Sequence, residues 1–134
     1  MNWTRIVAGG ILAGIVTWLA DFVMHGVLLG DTYARYSQVF TQTQANPLSF
    51  AAVSVALGLF VAVLFGKTRA SWAAGWQGGA AFGVYFGLAV FFGNFYYPLV
   101  IDGFPDFLGW CWGGIGVVDS VLAGAVLGAI VPRS

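Results

Sequence analysis

Four long apolar runs decide what this chain can fold into. They span about Ile6–Leu29, Leu48–Phe65, Ala73–Val100 and Phe107–Val131. About 20 helical residues cross a hydrocarbon layer about 30 Å thick, and each run meets or nearly meets that length. Within lipid the backbone must satisfy its own hydrogen bonds, which leaves helices or a closed barrel. Because the runs are continuous rather than alternating, they predict four transmembrane helices and an all-α fold.

The composition excludes the main soluble classes of protein. Of the 134 residues, 60% are hydrophobic and only 7% are charged, whereas a soluble domain has about a quarter of its residues charged. Five basic residues balance five acidic ones, which excludes a nucleic-acid binder driven by charge. Cys111 is the only cysteine, so an intramolecular disulfide is impossible. We therefore expect one integral membrane domain over residues 1–134.

The basic residues are divided unequally between the two sides of a four-span topology. One side carries Arg5, Lys67, Arg69 and Arg133. The other side carries Arg35 together with Asp31, Asp102 and Asp106. Because cytoplasmic loops of membrane proteins carry an excess of Lys and Arg, we expect a multi-pass protein of the bacterial inner (plasma) membrane with both termini in the cytoplasm.

The connectors contain helix start signals. Asn46 followed by Pro47 is typical of an N-cap and first helical residue, and Ser71 and Asp106 are candidate caps for the third and fourth spans. In the longest connector, Asp31 could cap a short interfacial helix that carries Tyr33, Tyr36 and Phe40 on one side. The alternative for that connector is an irregular polar loop.

Matching residues in the two halves suggest an internal repeat. At a fixed offset, Trp3, Gly9, Gly10, Gly14, Leu19, Ala20 and Phe22 match Trp72, Gly78, Gly79, Gly83, Leu88, Ala89 and Phe91. At a slightly shorter offset, Ser54, Val55 and Gly58 match Ser120, Val121 and Gly124. The pattern favours two tandem helical hairpins in the same orientation.

Small residues recur every four positions in three of the spans. They are Gly10 and Gly14; Gly75, Gly79, Gly83 and Gly87; and Gly116, Ser120, Gly124 and Gly128. Such stripes let helix backbones approach closely in lipid. We expect them to pack the bundle, and their number also suggests a homo-oligomer or a larger membrane-protein complex.

Among the polar side chains within the apolar runs, four form a candidate intramembrane cluster: Asp21, His25, Asn94 and Asp119. Asp21 and His25 are four residues apart and share one helix face. If the helices converge, the four line one pocket in the middle to outer half of the bilayer. The pocket has two interpretations, a proton relay through the aspartates and His25 or a satisfied hydrogen-bond network that sets the helix register.

Metal, cofactor and enzyme chemistry receive little support. One histidine, one cysteine and scattered aspartates fall short of a zinc or iron ligand set, so no metal and no cofactor are expected. A haem or chlorin on His25 is the alternative, because a lone histidine can act as an axial ligand. The chain contains no phosphate loop, nucleophile elbow or HExxH motif, and we expect no catalytic residues.

The chain resembles uncharacterised four-helix bacterial inner-membrane proteins that are grouped as domains of unknown function. The resemblance lies in the opening Met1-Asn-Trp3, in the segment Phe22–Tyr33 and in the last helix, which is rich in small residues. The resemblance implies the four-helix layout and supplies no activity. Small multidrug exporters depend on a glutamate in the first helix, and this chain has no Glu. The leading hypothesis is therefore a non-catalytic membrane component that self-associates or joins a larger complex. The alternative is a small proton-linked transporter or channel.

Overall fold

The computed structural model describes residues 1–42 and 44–133, and regular structure within them is entirely helical. The α-helices are α1 (Trp3–Asp21), α2 (Gly30–Arg35), α3 (Pro47–Thr68), α4 (Gly75–Phe91), α5 (Tyr96–Val100) and α6 (Asp106–Ile130). A π-helical segment, Phe22–Leu28, extends α1, and 3₁₀ turns at Arg69–Ser71 and Phe92–Phe95 follow α3 and α4. With these extensions, four helices are long and apolar enough to cross a membrane: Trp3–Leu28, Pro47–Ser71, Gly75–Val100 and Asp106–Ile130. The predicted all-α fold with four such helices is confirmed.

The helix starts follow the sequence signals in part. Asn46 caps α3 as predicted, because its side-chain oxygen accepts a hydrogen bond of 2.9 Å from the backbone N–H of Leu48. The prediction for Ser71 is wrong, since α4 begins at Gly75 and Ser71 ends a 3₁₀ turn. Asp106 is the first residue of α6 and not its cap. Gly75, the first residue of α4, has a φ of +76°, and residues other than glycine rarely adopt this backbone conformation.

The helices α1 and α3 form the first hairpin through direct backbone contact. A Cβ atom on Gly10 would lie 2.8 Å from Leu59 Cα, and one on Gly14 would lie 2.5 Å from Val55 Cα. A Cβ on Gly58 would collide with the carbonyl oxygen of Gly10. Glycine at these three positions therefore sets the separation of the two helices.

The helices α4 and α6 form the second hairpin, the most extensive helix pair in the molecule. A Cβ on Gly79 would collide with the carbonyl oxygen of Gly124, and one on Gly83 would collide with that of Ser120. The second hairpin thus packs as closely as the first.

The two hairpins use residues that match in the sequence repeat. Gly14 lies against Val55 in the first hairpin, and the matching Gly83 lies against Val121 in the second. Both first helices also leave α geometry near the same point, α1 after Asp21 and α4 after Phe91. The hairpins are therefore similar in sequence pattern and in the way their helices pack.

The buried core joins the two hairpins at the end that carries the termini. Its largest fully buried side chains there are Ile6, Phe65 and Leu127, and the rings of Phe65 and Phe82 lie 5.1 Å apart. Between the hairpins, α1 packs mainly on α6. Toward the opposite end this α1–α6 interface becomes polar, and that is where the candidate site lies.

Candidate intramembrane polar site

The site begins where α1 changes from α to π geometry. Asp21 is the last α-helical residue, and His25 lies inside the π-helical segment Phe22–Leu28. The two side chains remain neighbours, with His25 Nε2 3.7 Å from Asp21 Oδ1. Single π turns inside α-helices frequently occur at functional sites. Here the π turn changes the direction in which His25 leaves the helix, toward α2 and α6.

A hydrogen-bonded chain joins His25 to α2 and α6. The Nε1–H of Trp112 donates to the hydroxyl oxygen of Tyr33 at 2.8 Å, and the same hydroxyl bonds to Nδ1 of His25. An indole nitrogen only donates, so the Tyr33 O–H is free to donate to Nδ1. In a neutral imidazole the ring proton then lies on Nε2, the nitrogen that faces Asp21.

Tyr33 stays protonated through the neutral pH range. Burial of the phenol raises its pKa to about 12, and the hydrogen bond from Trp112 offsets only part of that increase. Its O–H is therefore available as a donor to His25 at any pH at which a cell lives.

Aromatic rings enclose Tyr33 and Trp112. The ring of Trp112 lies 5.1 Å from Tyr97 and 5.2 Å from Phe104, both nearly edge to face. Phe40 lies 4.8 Å from Tyr33 and 6.0 Å from Trp112. Edge-to-face packing of this kind holds a polar tip in a fixed position within an apolar shell. The shell therefore orients the hydrogen-bonded chain.

Asp119 of α6 completes the site from the opposite side of the interface. Its carboxyl group adjoins that of Asp21, close enough for a hydrogen bond when one of the two carries a proton. Its Oδ1 atom is buried and has no hydrogen-bond partner among the described residues. An unpaired buried acceptor costs about 1–3 kcal/mol. Asp119 thus has an unused capacity for a proton or another donor.

The interface is closed below Asp119. Ala123, one helical turn further along α6, begins a buried core that includes Ala13 and Leu127. Two cavities lie at the ends of the bundle, one beside Arg69 and the other around residues 98–104, and neither is lined by the site residues. The buried core therefore separates the site from the end of the bundle that carries the termini.

The fourth polar residue of the predicted pocket, Asn94, has its side-chain hydrogen bond within its own helix turn. The Asn94 amide donates to the carbonyl oxygen of Phe91 at 3.1 Å, within its own turn. Its helix packs on α6, and the main partners of α1 are α3 and α6. The structure thus brings Asp21, His25 and Asp119 together, and no hydrogen bond or ion pair links the Asn94 side chain to them among the described residues.

The small residues of the predicted stripes also differ in what they contact. Gly87 lies against Val117 and Gly128 against the carbonyl oxygen of Gly75. Gly116 has open space around it. Three of the four small residues in the α6 stripe therefore face α4.

The side chains that commonly bind metal ions in proteins are not clustered among the described residues. Among residues 1–42 and 44–133, no set of three His, Cys or Asp side chains is placed to bind a metal ion. A haem or chlorin on His25 stays a hypothesis. Because Nδ1 bonds to Tyr33 and Nε2 faces Asp21, axial ligation would require one of these neighbours to move.

Sequence reasoning missed the role of Tyr33 and the link from Trp112 to His25. Tyr33 has the sequence signature of an interfacial aromatic residue, and eight positions separate it from His25. The only available signal was the short α2 helix, which turns the chain back over the end of α1.

Comparison with known proteins finds no matching family model, no matching curated protein and no matching solved structure.

Proposed function

We propose that this protein is a small proton-linked membrane transporter or channel in which the Asp21–Asp119 pair loads and releases a proton. The observation that carries the proposal is the buried, unpartnered Oδ1 of Asp119 beside the Asp21 carboxyl group. Two adjacent carboxylates in a low dielectric disfavour double ionisation. A proton held between them removes the repulsion and satisfies an acceptor that no described residue satisfies.

The hydrogen-bonded chain supplies a path for that proton. Histidine side chains can take up and release protons in relays, and His25 connects Asp21 with the Tyr33 hydroxyl at the end of the bundle. The side chains of Asp21 and His25 are 38% and 33% exposed, which allows contact with water from that end. The buried core around Leu127 blocks the other direction. Proton exchange would thus occur on one side of the membrane in this conformation.

Charge displacement after a pH jump tests this proposal on a solid-supported membrane. Binding of a proton within the bilayer moves charge even when no transported substrate is present. We expect a transient current from the wild type, loss of the current in Asp119→Asn, and an unchanged current in Asp102→Asn, a matched change outside the spans. A wild type without current, or Asp119→Asn with a normal current, would refute the proposal.

A second candidate is the non-catalytic component of a homo-oligomer or larger membrane complex. It is favoured by the same exposure of Asp21 and His25, since ionisable side chains within a membrane are usually covered by protein or water. A partner helix over this face would cover them. Native mass spectrometry of gently solubilised protein shows whether the chain is alone or bound to partners. If the chain is alone and the same preparation gives the pH-jump current, the protein needs no partner and the second candidate is excluded.

We further propose that the protein resides in the bacterial inner membrane with both termini in the cytoplasm. The support is the excess of Arg and Lys at the end that carries the termini, together with the resemblance to four-helix inner-membrane proteins. Reporter fusions at residue 134 and within the α2–α3 connector test the orientation. Activity of a cytoplasm-specific reporter in the connector would contradict it.

A further inference from the structure

A second polar feature lies at the opposite end of the bundle, distant from the Asp21–Asp119 pair. It is a cavity of about 320 Å³, which we call the basic cavity. Its lining includes Arg5, Arg69, Gly75, Gly128, Val131 and Arg133. Three of the five basic residues of the chain therefore converge on one cavity.

No carboxylate of the described residues neutralises this charge. The acidic residues of the chain are Asp21, Asp31, Asp102, Asp106 and Asp119, and none of them lines the basic cavity. The one ion-pair contact among the described residues is between Asp21 and His25. The described residues that line the basic cavity therefore carry an excess of positive charge, which attracts an anion.

Arg69 is fixed in place before any ligand arrives. It is 3% exposed, and its Nε donates to the Val131 carbonyl at 2.9 Å while Nη1 donates to the Ala73 carbonyl at 2.9 Å. Its guanidinium also lies 5.2 Å from the centre of the Phe65 ring. Because Arg69 binds the carbonyl group just beyond the C-terminus of α6, it offsets the negative end of that helix. The basic cavity therefore stays electropositive even though the C-terminus of α6, which carries a partial negative charge, lies beside it.

The start of α4 adds donors to the same cavity. Ala74 provides no side-chain cap, so the first N–H groups of α4 have no side-chain acceptor. Ala74 and Gly75 line the basic cavity, and a helix N-terminus attracts anions through its N–H groups and dipole. Arg133 is held nearby by a 2.9 Å hydrogen bond from Nη2 to the Ala70 carbonyl.

We propose that the basic cavity binds a phosphate-type anion, with the headgroup of an anionic phospholipid as the favoured source. Arg5 near the start of α1, Arg69 beyond the end of α3 and Arg133 beyond the end of α6 lie at the ends of three candidate spans. Ends of spans lie at the level of lipid phosphates, and basic pockets between transmembrane helices are suited to such headgroups. This inference is independent of the proton-linked function.

Native mass spectrometry with defined lipids tests the inference. Full-length protein in detergent is mixed with phosphatidylglycerol, with phosphatidylcholine of the same acyl chains, or with inorganic phosphate. The variant is Arg5→Gln combined with Arg133→Gln, and Arg35→Gln, at the other end of the bundle, is the matched control. Arg69 is left intact because it holds the helix ends together.

We expect the wild type to retain phosphatidylglycerol several-fold more than phosphatidylcholine. The double variant should lose retention of phosphatidylglycerol by about tenfold or more, since each basic residue near an anionic lipid surface contributes several-fold, whereas Arg35→Gln should behave as the wild type. Inorganic phosphate that binds and displaces the lipid would support the same anion chemistry and assign it to a free phosphate. Equal retention of both lipids without phosphate binding, or a double variant that retains phosphatidylglycerol fully, would overturn the inference.

Discussion

Asp119 differs from the other polar side chains of the bundle in how it can be satisfied. The Ser120 hydroxyl donates to the Gly116 carbonyl at 2.7 Å, and the Asn94 amide donates to the Phe91 carbonyl. Both are donors, so a carbonyl of their own helix is a sufficient partner. An ionised carboxylate only accepts, and the N–H groups in the middle of a helix are already bonded. Asp119 therefore needs a donor from outside its helix, and a shared proton supplies one.

Tyr33 leads to a prediction about alkaline pH. Burial holds its pKa at about 12, above the ordinary 10.0. The neutral phenol is thus favoured in the folded state, so its contribution to stability is present below about pH 10 and lost as the pH rises through about 12. In an ultraviolet titration, Tyr33→Phe should remove the tyrosinate signal near pH 12. The control Tyr85→Phe, at an exposed ring, should leave it. A titration near pH 12 that Tyr33→Phe does not alter would contradict the buried hydrogen-bonded phenol.

The residue pattern predicted half of the candidate site. Four-residue spacing placed Asp21 beside His25 because that relation lies within one helix. The proximity of Asp119 to Asp21 was a conditional expectation that depended on helix convergence. The bond from His25 to Tyr33 depends on a π turn, which has no local sequence signal, and on the path of α2, a short helix that the sequence suggested without its direction. The Asn94 amide has an acceptor in its own turn, a local partner that the residue pattern does not distinguish from a partner across the bundle.

At the scale of the helix, a strict four-residue stripe is only an approximate guide to a packing face. An α-helix has 3.6 residues per turn, so a row with a spacing of four turns about 40° around the axis at each step. Gly128, Gly124 and Ser120 face α4, but Gly116 has rotated away from it. Val117 takes that place against Gly87. The sequence predicted which helices would pack closely and extended the face one residue too far.

Glycine positions on α6 give a matched pair of substitutions. Gly124→Ala places a methyl group against the carbonyl oxygen of Gly79, whereas Gly116→Ala meets open space. We expect Gly124→Ala to reduce the free energy of unfolding by about 1–3 kcal/mol or more, because the colliding atom is backbone. Gly116→Ala should be neutral or slightly stabilising. Reversible unfolding in mixed detergent micelles measures both, and equal stability of the two variants would refute the close α4–α6 contact.

At the scale of the whole molecule, the two similar hairpins share one site of intramembrane carboxylates, which lies where α1 of the first hairpin meets α6 of the second. The repeat offset places Val90 opposite Asp21 and Asn94 opposite His25, and the shorter offset places Val53 opposite Asp119. The glycine contacts are thus kept in both hairpins, while the carboxylates and the histidine occur in one copy. The fold could be predicted from the sequence because lipid restricts a chain to spanning helices. The position of the site could not be predicted, because it depends on how the two hairpins pack against each other along α1 and α6.

Infrared spectroscopy of the protein in lipid, as a function of pH, tests the central claim most directly. A carboxyl group that holds a proton has a C=O stretching band separate from that of a carboxylate. We predict such a band for the wild type at neutral pH, its loss in Asp119→Asn and in Asp21→Asn, and its persistence in Asp102→Asn. A wild type without the band, or a band that both Asp119→Asn and Asp21→Asn leave unchanged, would contradict a proton shared by Asp21 and Asp119.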